Sequence, residues 1–420
     1  MKFTKYLKRK KLKNTFESKL QYSFTMGTDG ITTTKFSEII DEEISIIKRK
    51  IKNHTYNISP YKEQLILKSR SSNPRMISIP THRDKLVLSA LQKFLAEKYE
   101  DKITYDNVDE KIHVIKNAIA SKEYDSFIKV DIKNFYPNID HALLLDKVRE
   151  KVNDDEALYL LEKALIQITI SQGRRASKSN NLETKGVAQG LSISNILASI
   201  YMHDLDEKYH NKKNLVYFRY VDDILILCNK SDVEAIKTSI SNDAKELILE
   251  VHEFKEGSDK SVSGTIHKDK FQFLGFEFYE NILSVREQSV DKLRDRIIGV
   301  FYNNIGAKDK DLYRELNLKI SGCVYDGKDY GWMQFFRQID DLTLLYSLDS
   351  FVKSLFRRFN RKYKEKKLKK FTKTYFLLKN YQIDKLNKNT YIPKYELDLS
   401  TTDKQFFKIL KNLFDDVEFY

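Results

Sequence analysis

Two adjacent aspartates, Asp222 and Asp223, sit between the apolar-rich runs Phe218-Arg219-Tyr220-Val221 and Ile224-Leu225-Ile226-Leu227. As a bare pair they would be an ordinary polar turn, because Asp is a good turn residue. The flanks argue otherwise: strand-type runs on both sides pull the turn toward a core, where carboxylates are costly unless a cation neutralises them. A further acid, Asp131, follows Phe127-Ile128-Lys129-Val130 at the end of another strand, ahead of Ile132-Lys133-Asn134-Phe135-Tyr136. Three such carboxylates suit phosphoryl transfer by two divalent ions, one activating the attacking 3′ hydroxyl and the other holding the leaving pyrophosphate. Hard oxygen ligands without His or Cys imply Mg²⁺ or Mn²⁺ rather than zinc.

The elements that must position these acids are legible as changes of pattern. Between 127 and 228 strand, helix and strand alternate: a strand into Asp131, a helix from about 141, and a hairpin from Val216 to Leu227. The polar stretch 171–185 reads as a loop before a helix beginning near Leu191. Upstream, Phe36, Ile40, Ile44, Ile47 and Ile51 have helical spacing, Ile77-Ser78-Ile79-Pro80 ends a strand, and Asp84 to Tyr99 predicts an amphipathic helix. Beyond Phe276 helical pattern takes over and becomes increasingly basic.

The 420 residues can bury a sizeable core and predict two or three domains. With 41% hydrophobic and 32% charged residues, 13 Gly and 5 Pro, the composition is that of an ordered, helix-rich protein. Lys plus Arg number 74 against 60 Asp plus Glu, and the net charge of +14 favours a polyanionic partner, although a solvated basic surface would look the same. Cys228 and Cys323 are too few and too far apart for a disulfide framework or a zinc site, and are expected to be buried small hydrophobes in a reducing compartment. The basic start lacks the apolar core of a secretion signal and no stretch approaches a membrane span, so a soluble intracellular, cytoplasmic protein without membrane contact is expected.

Six motifs in order carry a resemblance. They are Gly27-Thr28-Asp29-Gly30, Arg75-Met76-Ile77-Ser78-Ile79-Pro80 with Arg83-Asp84, the Asp131 strand, Gly186-Val187-Ala188-Gln189-Gly190, Tyr220-Val221-Asp222-Asp223 and Phe273-Leu274-Gly275-Phe276. Over residues 20 to 360 or so the chain resembles the bacterial reverse transcriptases of the group II intron-like lineage. That resemblance implies an α+β right-hand polymerase fold: N-terminal helices and fingers over 1–125, an antiparallel-sheet palm over 126–280, a helical thumb over 281–360 and a basic helical C-terminal extension over 361–420. It implies catalysis by Asp131, Asp222 and Asp223, with Ile132 joining them in the set that holds two metal ions.

Further roles follow from the same resemblance. Lys68 and Arg75 match residues that clamp the incoming triphosphate, work that suits a point charge and a bidentate guanidinium. Tyr136 matches the aromatic gate that excludes a ribose 2′ hydroxyl, while Phe135 is expected to pack inward. Gln189-Gly190 matches the turn backing the templating base pair, where a missing side chain lets the nucleotide approach the backbone. Here the chain departs from the intron enzymes, which have Pro before the Gln and Gly-Val-Ile-Ser-Pro after it; this chain has Ala188 and Leu191-Ser192-Ile193-Ser194-Asn195. Lys255, after an expected strand at 247–249, is placed near the pyrophosphate, with Lys260 as competitor. In the thumb, Trp332 is expected to anchor the helical bundle.

From Lys353 to Lys370 there are ten Lys/Arg and one acid, Glu365, interleaved with Phe356, Phe359, Tyr363 and Phe371. Arg357, Arg358, Arg361, Lys366, Lys367, Lys369 and Lys370 are therefore expected to neutralise a nucleic-acid backbone while the aromatics stack on unpaired bases. A solvated helix face would carry similar charge.

Within the family, the segments expected of an intron endonuclease, an RNase H domain or a retron enzyme are not found, and the chain looks most like the unknown-group and defence-associated bacterial enzymes. That implies deoxynucleoside triphosphates as substrates, DNA as product, a structured noncoding RNA as template, and a part in antiphage defence. Three readings stay open: templated RNA-directed DNA synthesis, template-independent or protein-primed addition, and a non-catalytic RNA-binding module, against which the three intact acids argue. Sequence leaves the oligomeric state open.

Overall fold

The computed structural model describes residues 2–21, 23, 25–66, 74–103, 108–171, 184–258, 260–325 and 328–386. In chain order the elements are α1 (Arg9–Thr15), α2 (Thr33–Glu38), α3 (Ile40–Lys52), β1 (Tyr61–Ile66), β2 (Arg75–Ile79), α4 (His82–Lys98), α5 (Val108–Ala120) and β3 (Ser126–Asp131). Then come α6 (Phe135–Asn138), α7 (His141–Arg149), α8 (Asp155–Leu165), β4 (Thr169–Ile170), α9 (Ser194–His210), β5 (Leu215–Tyr220), β6 (Asp223–Cys228), α10 (Val233–Glu246) and β7 (Val262–Thr265). The remainder are β8 (Phe271–Phe273), β9 (Phe276–Tyr279), β10 (Ile282–Val285), α11 (Glu287–Asn303), α12 (Asp309–Ser321), β11 (Cys323–Tyr325), β12 (Lys328–Tyr330), α13 (Trp332–Phe335), α14 (Leu342–Arg358) and α15 (Phe371–Leu386).

The chain divides into two compact units. Met1–Tyr105, Ile128–Ile226 and Ser231–Val262 form the first; Asp106–Phe127, Leu227–Lys230 and Ser263–Tyr420 form the second. In the first, side-chain oxygens cap helices by accepting otherwise unpaired N–H groups: Thr81 from Asp84, Asp140 from Leu143 and Asp154 from Ala157. Strands β1 and β2 pair antiparallel and β4 joins β1 in parallel. A second sheet has the order β5-β6-β3-β7, so β3, which ends in Asp131, lies beside β6, which starts with Asp223.

The stripe from Phe36 to Ile51 is carried by two helices that meet at Ile39. The first half of helix α4 departs from the amphipathic expectation: Leu86, Val87, Leu88, Ser89, Ala90 and Leu91 are consecutive and all buried, because α1, α3 and α9 pack around it, whereas Lys93 and Glu97 in the second half are exposed.

In the second unit β8, β9 and β10 form an antiparallel meander over a cluster of phenylalanines, with Phe271 stacked between Phe127 and Phe278. Trp332 is buried against Phe336 and Phe371, as expected of an anchor. Both cysteines are free and buried, the small-hydrophobe role expected of them. No helix among the described residues is long and apolar enough to cross a membrane.

Candidate active site

Asp131 ends β3 with its main chain held from both sides. Its N–H donates to Ser261 Oγ (3.1 Å) and its carbonyl accepts from His252 N–H (3.0 Å). One residue on, Ile132 N–H donates to the Asp222 carbonyl at 3.4 Å, so the acid of one strand and the turn of its neighbour are tied through the backbone. That turn is unusual: Val221 adopts φ +58°, a left-handed conformation that a β-branched residue rarely takes and that costs about 1–3 kcal/mol unless its surroundings enforce it.

Cations of the protein meet two of the carboxylates. Lys260 reaches both oxygens of Asp131 (3.1 and 3.3 Å) and His252 Nε2 approaches Oδ1 at 3.3 Å, while the Asp131 side chain is only 18% exposed. Lys129 lies 3.8 Å from Asp223. It stands two residues before Asp131 and so on the same face of the strand, a relation readable from the period of two. His252 had no such signal, since it arrives through an isolated bridge between Ile132 and Val251.

The carboxylate oxygens of Asp131, Asp222 and Asp223 and the main-chain carbonyl of Ile132 are hard donors of the type that holds Mg²⁺ or Mn²⁺. Among the described residues no group of three metal-ligating side chains converges as they stand. The donor chemistry fits a divalent ion, and the Lys260 ammonium supplies positive charge at Asp131.

Tyr136, in α6, donates its hydroxyl to Asn195 Oδ1 at 2.7 Å. Burial pushes its pKa well above the ordinary phenol value and the negative charge of Asp222 adds to this, with the guanidiniums of Arg75 and Arg219 opposing. The hydroxyl therefore stays protonated, within electrostatic reach of both Asp222 and Arg75. Phe135 is buried beside it, as expected.

Gly190 has φ +97°, and a Cβ there would lie 2.6 Å from Ile77 Cγ2. The preceding carbonyl, of Gln189, accepts Ser78 N–H at 2.7 Å. The missing side chain at 190 admits the close approach of strand β2. The following helix starts at Ser194 rather than near Leu191.

Lys255 is 71% exposed and pairs with Glu253 at 2.9 Å, whereas Lys260 reaches Asp131. The expected strand at 247–249 is instead the end of α10 and a turn, with Ile248 at φ +56°. Lys68 and residues 172–183 lie outside the described residues.

The basic stretch sorts into two kinds of residue. Arg357, Arg358, Lys366 and Lys367 are exposed. Arg361 is turned inward, donating to the Asn304 and Ala307 carbonyls and to Asp309. Lys369 donates to Ser321 Oγ at 3.0 Å, with burial pulling its pKa down to about 8, and Lys370 pairs with Glu365. Of the interleaved aromatics, Phe356 and Phe371 are too buried to stack on bases as expected. Phe356 and Phe371 are 1% and 0% exposed, Phe359 stacks on Phe301, and Tyr363 packs edge-on against Phe356.

Residues 62–278, just over half of the chain, match the family Reverse transcriptase (RNA-dependent DNA polymerase). The chain belongs to that family. Its α+β fold, mixing helices with antiparallel sheets, is the family's right-hand polymerase fold. The Group II intron-encoded protein LtrA of Lactococcus lactis subsp. cremoris is 28% identical over 191 residues, covering 43% of this chain and 30% of LtrA. Protein YkfC of Escherichia coli (strain K12) is 23% identical over 258 residues, covering 51% of this chain and 66% of YkfC. The chain thus spans about a third of LtrA's length. Among solved structures, telomerase from Candida albicans in complex with a TWJ fragment of telomeric RNA has 15% identity and a TM-score of 0.46, covering 93% of this chain and 67% of that one.

Proposed function

We propose that this reverse transcriptase extends DNA on an RNA template by phosphoryl transfer, with Asp131, Asp222 and Asp223 as the catalytic carboxylates. The observation that carries this reading is the Ile132 N–H to Asp222 carbonyl bond, which sets the two acid-bearing segments side by side within the matched region. Asp131, Asp222, Asp223 and the Ile132 carbonyl would hold two Mg²⁺ or Mn²⁺ ions, which when bound activate the primer 3′ hydroxyl and stabilise the leaving pyrophosphate.

The other residues position substrate. Arg75, with Lys68, receives the triphosphate of a deoxynucleotide, and its proximity to Tyr136 supports that placement. Tyr136 presents its ring where a ribose 2′ hydroxyl would otherwise fit. Gln189 and Gly190 back the templating pair from a turn fastened to β2. Lys260 is better placed than Lys255 to meet the pyrophosphate, because its ammonium already reaches Asp131. Exposed Arg357, Arg358, Lys366 and Lys367 contact the nucleic-acid backbone.

The finer reading is a structured noncoding RNA as dedicated template and a bacterial antiphage setting, supported by the sequence resemblance alone. The test is incorporation of labelled deoxynucleotides by the protein purified with its own nucleic acid, beside Asp222→Ala/Asp223→Ala, with the product sequenced. A metal-dependent product absent from the double variant is expected, its sequence copying a resident RNA. An untemplated product, or DNA covalently attached to protein, would overturn the templated reading. Equal synthesis by the double variant would overturn the assignment of the acids.

A further inference from the structure

We infer that Arg219 and Asp206 form a positioning clamp that holds the left-handed turn at Val221 and so sets where the carboxylates of Asp222 and Asp223 stand; this rests on the polymerase reading above. Arg219, on β5, is 10% exposed and Asp206, on α9, is 18% exposed. The guanidinium uses its fork in two directions. Nε and Nη2 donate to the two oxygens of Asp206, and Nη1 donates to the Val221 carbonyl at 2.9 Å. Tyr217, two residues earlier on the same strand face, donates its hydroxyl to Asp206 Oδ1 at 2.9 Å.

A buried ion pair by itself is weak grounds for stability, since apolar residues of similar volume often serve as well. The third bond gives this pair a different task. It ends on the carbonyl of a residue whose backbone is strained, immediately before the paired acids. A β-branched residue at φ +58° relaxes toward ordinary conformations unless something fixes it, and a planar guanidinium anchored bidentately on a helix can do so where a lysine cannot. The next carbonyl, that of Asp222, accepts from Ile132 N–H, so the held turn is also referenced to Asp131. The line of force runs from α9 through Asp206 and Arg219 to Val221, and from there to the acids.

Arg219→Lys keeps the charge and loses the fork. Expected is a fall in kcat for deoxynucleotide addition of about 10- to 100-fold, with KM for primer–template changed by less than about twofold. Binding of Mn²⁺ to the protein without nucleic acid, read by the EPR signal of the free ion, should weaken several-fold. Asp206→Asn should do the same, and the double variant should be no worse than either single one, because the two act as a unit. Tyr217→Phe removes only one bond to Asp206 and should show a smaller shift of both readouts in the same direction; it decides the matter if the Arg219 variant does not fold. Wild-type kcat and Mn²⁺ affinity in these variants, with at most a lower Tm, would overturn the clamp while leaving the polymerase reading intact. A folded wild-type protein that makes no DNA and binds no Mn²⁺ would overturn the polymerase reading, and the clamp's catalytic role with it.

Discussion

The β5–β6 turn and the basic stretch 353–370 both combine charge with apolar residues, and the structure treats them in opposite ways. At the turn the apolar runs form the strands and the charges stay together between them: Asp222 and Asp223 adjoin a strained residue, and Lys129, Lys260 and His252 stand close to the acids of the site. In the basic stretch the aromatics leave the charges. Phe356 and Phe371 enter the core, and Arg361 and Lys369 turn inward to bond neighbouring segments. Charge interrupting a strand pair is kept at some cost in desolvation and strain, whereas the charges and aromatics of the basic stretch separate into surface and core.

This contrast can be broken most sharply at Asp131. Asp131→Ala should lower deoxynucleotide incorporation by on the order of 10³-fold or more while RNA binding stays close to wild type in a filter-binding assay. In the basic stretch the opposite pattern is expected. Phe356→Ala should lower unfolding free energy by about 3–5 kcal/mol in denaturant melts, because it empties a core position. A Phe356 variant of wild-type stability that has lost RNA affinity would return the aromatic to base stacking.

Smaller effects sharpen the comparison further. Tyr136→Ala should raise ribonucleotide incorporation by roughly 10- to 100-fold, a change of about 1.4–2.7 kcal/mol in discrimination. Asn195→Pro, which places the intron enzymes' residue at this position and removes the acceptor of the Tyr136 hydroxyl, should give a partial version of the same change. Unaltered selectivity in the Tyr136 variant would remove the gate. Reversing Lys366 and Lys367 to Glu should weaken RNA binding and flatten the slope of log K against log salt by about 1–2. Arg361→Glu should instead destabilise the protein, since its partners are carbonyls of its own unit.

The smallest expected effect is on pH dependence. Burial lowers the folded pKa of Lys369 to about 8 from an ordinary 10.5, so holding its charge costs stability below pH 8. That cost fades as pH rises from about 8 toward 10.5. Lys369→Met should therefore raise Tm at pH 7 by a few degrees at most and leave it unchanged near pH 10.

The active-site strands were legible because strand period, acid spacing and motif order agreed: Asp131, the Asp222-Asp223 turn and the inward Phe135 all fall where the pattern placed them. The first half of helix α4 is buried all round where an amphipathic pattern is expected, because periodicity cannot reveal how many sides of a helix are covered. Lys255 was preferred to Lys260 on linear proximity to a presumed strand, yet the chain turns at Ile248 and brings the later lysine to Asp131. His252 and Asn195 meet partners far away in sequence, Asp131 and Tyr136, and no local pattern announces such pairs.

Gly190 gives the site a mechanical property. With a side chain excluded by Ile77 and the Gln189 carbonyl accepting from Ser78 N–H, the turn is bonded to strand β2. Arg75 begins that strand, so a displacement of β2 that carries Arg75 is expected to move the turn with it. On the proposed roles, seizing a triphosphate and pressing on the templating pair become one movement, and a bulkier residue at 190 would act as a wedge that lets the two slip.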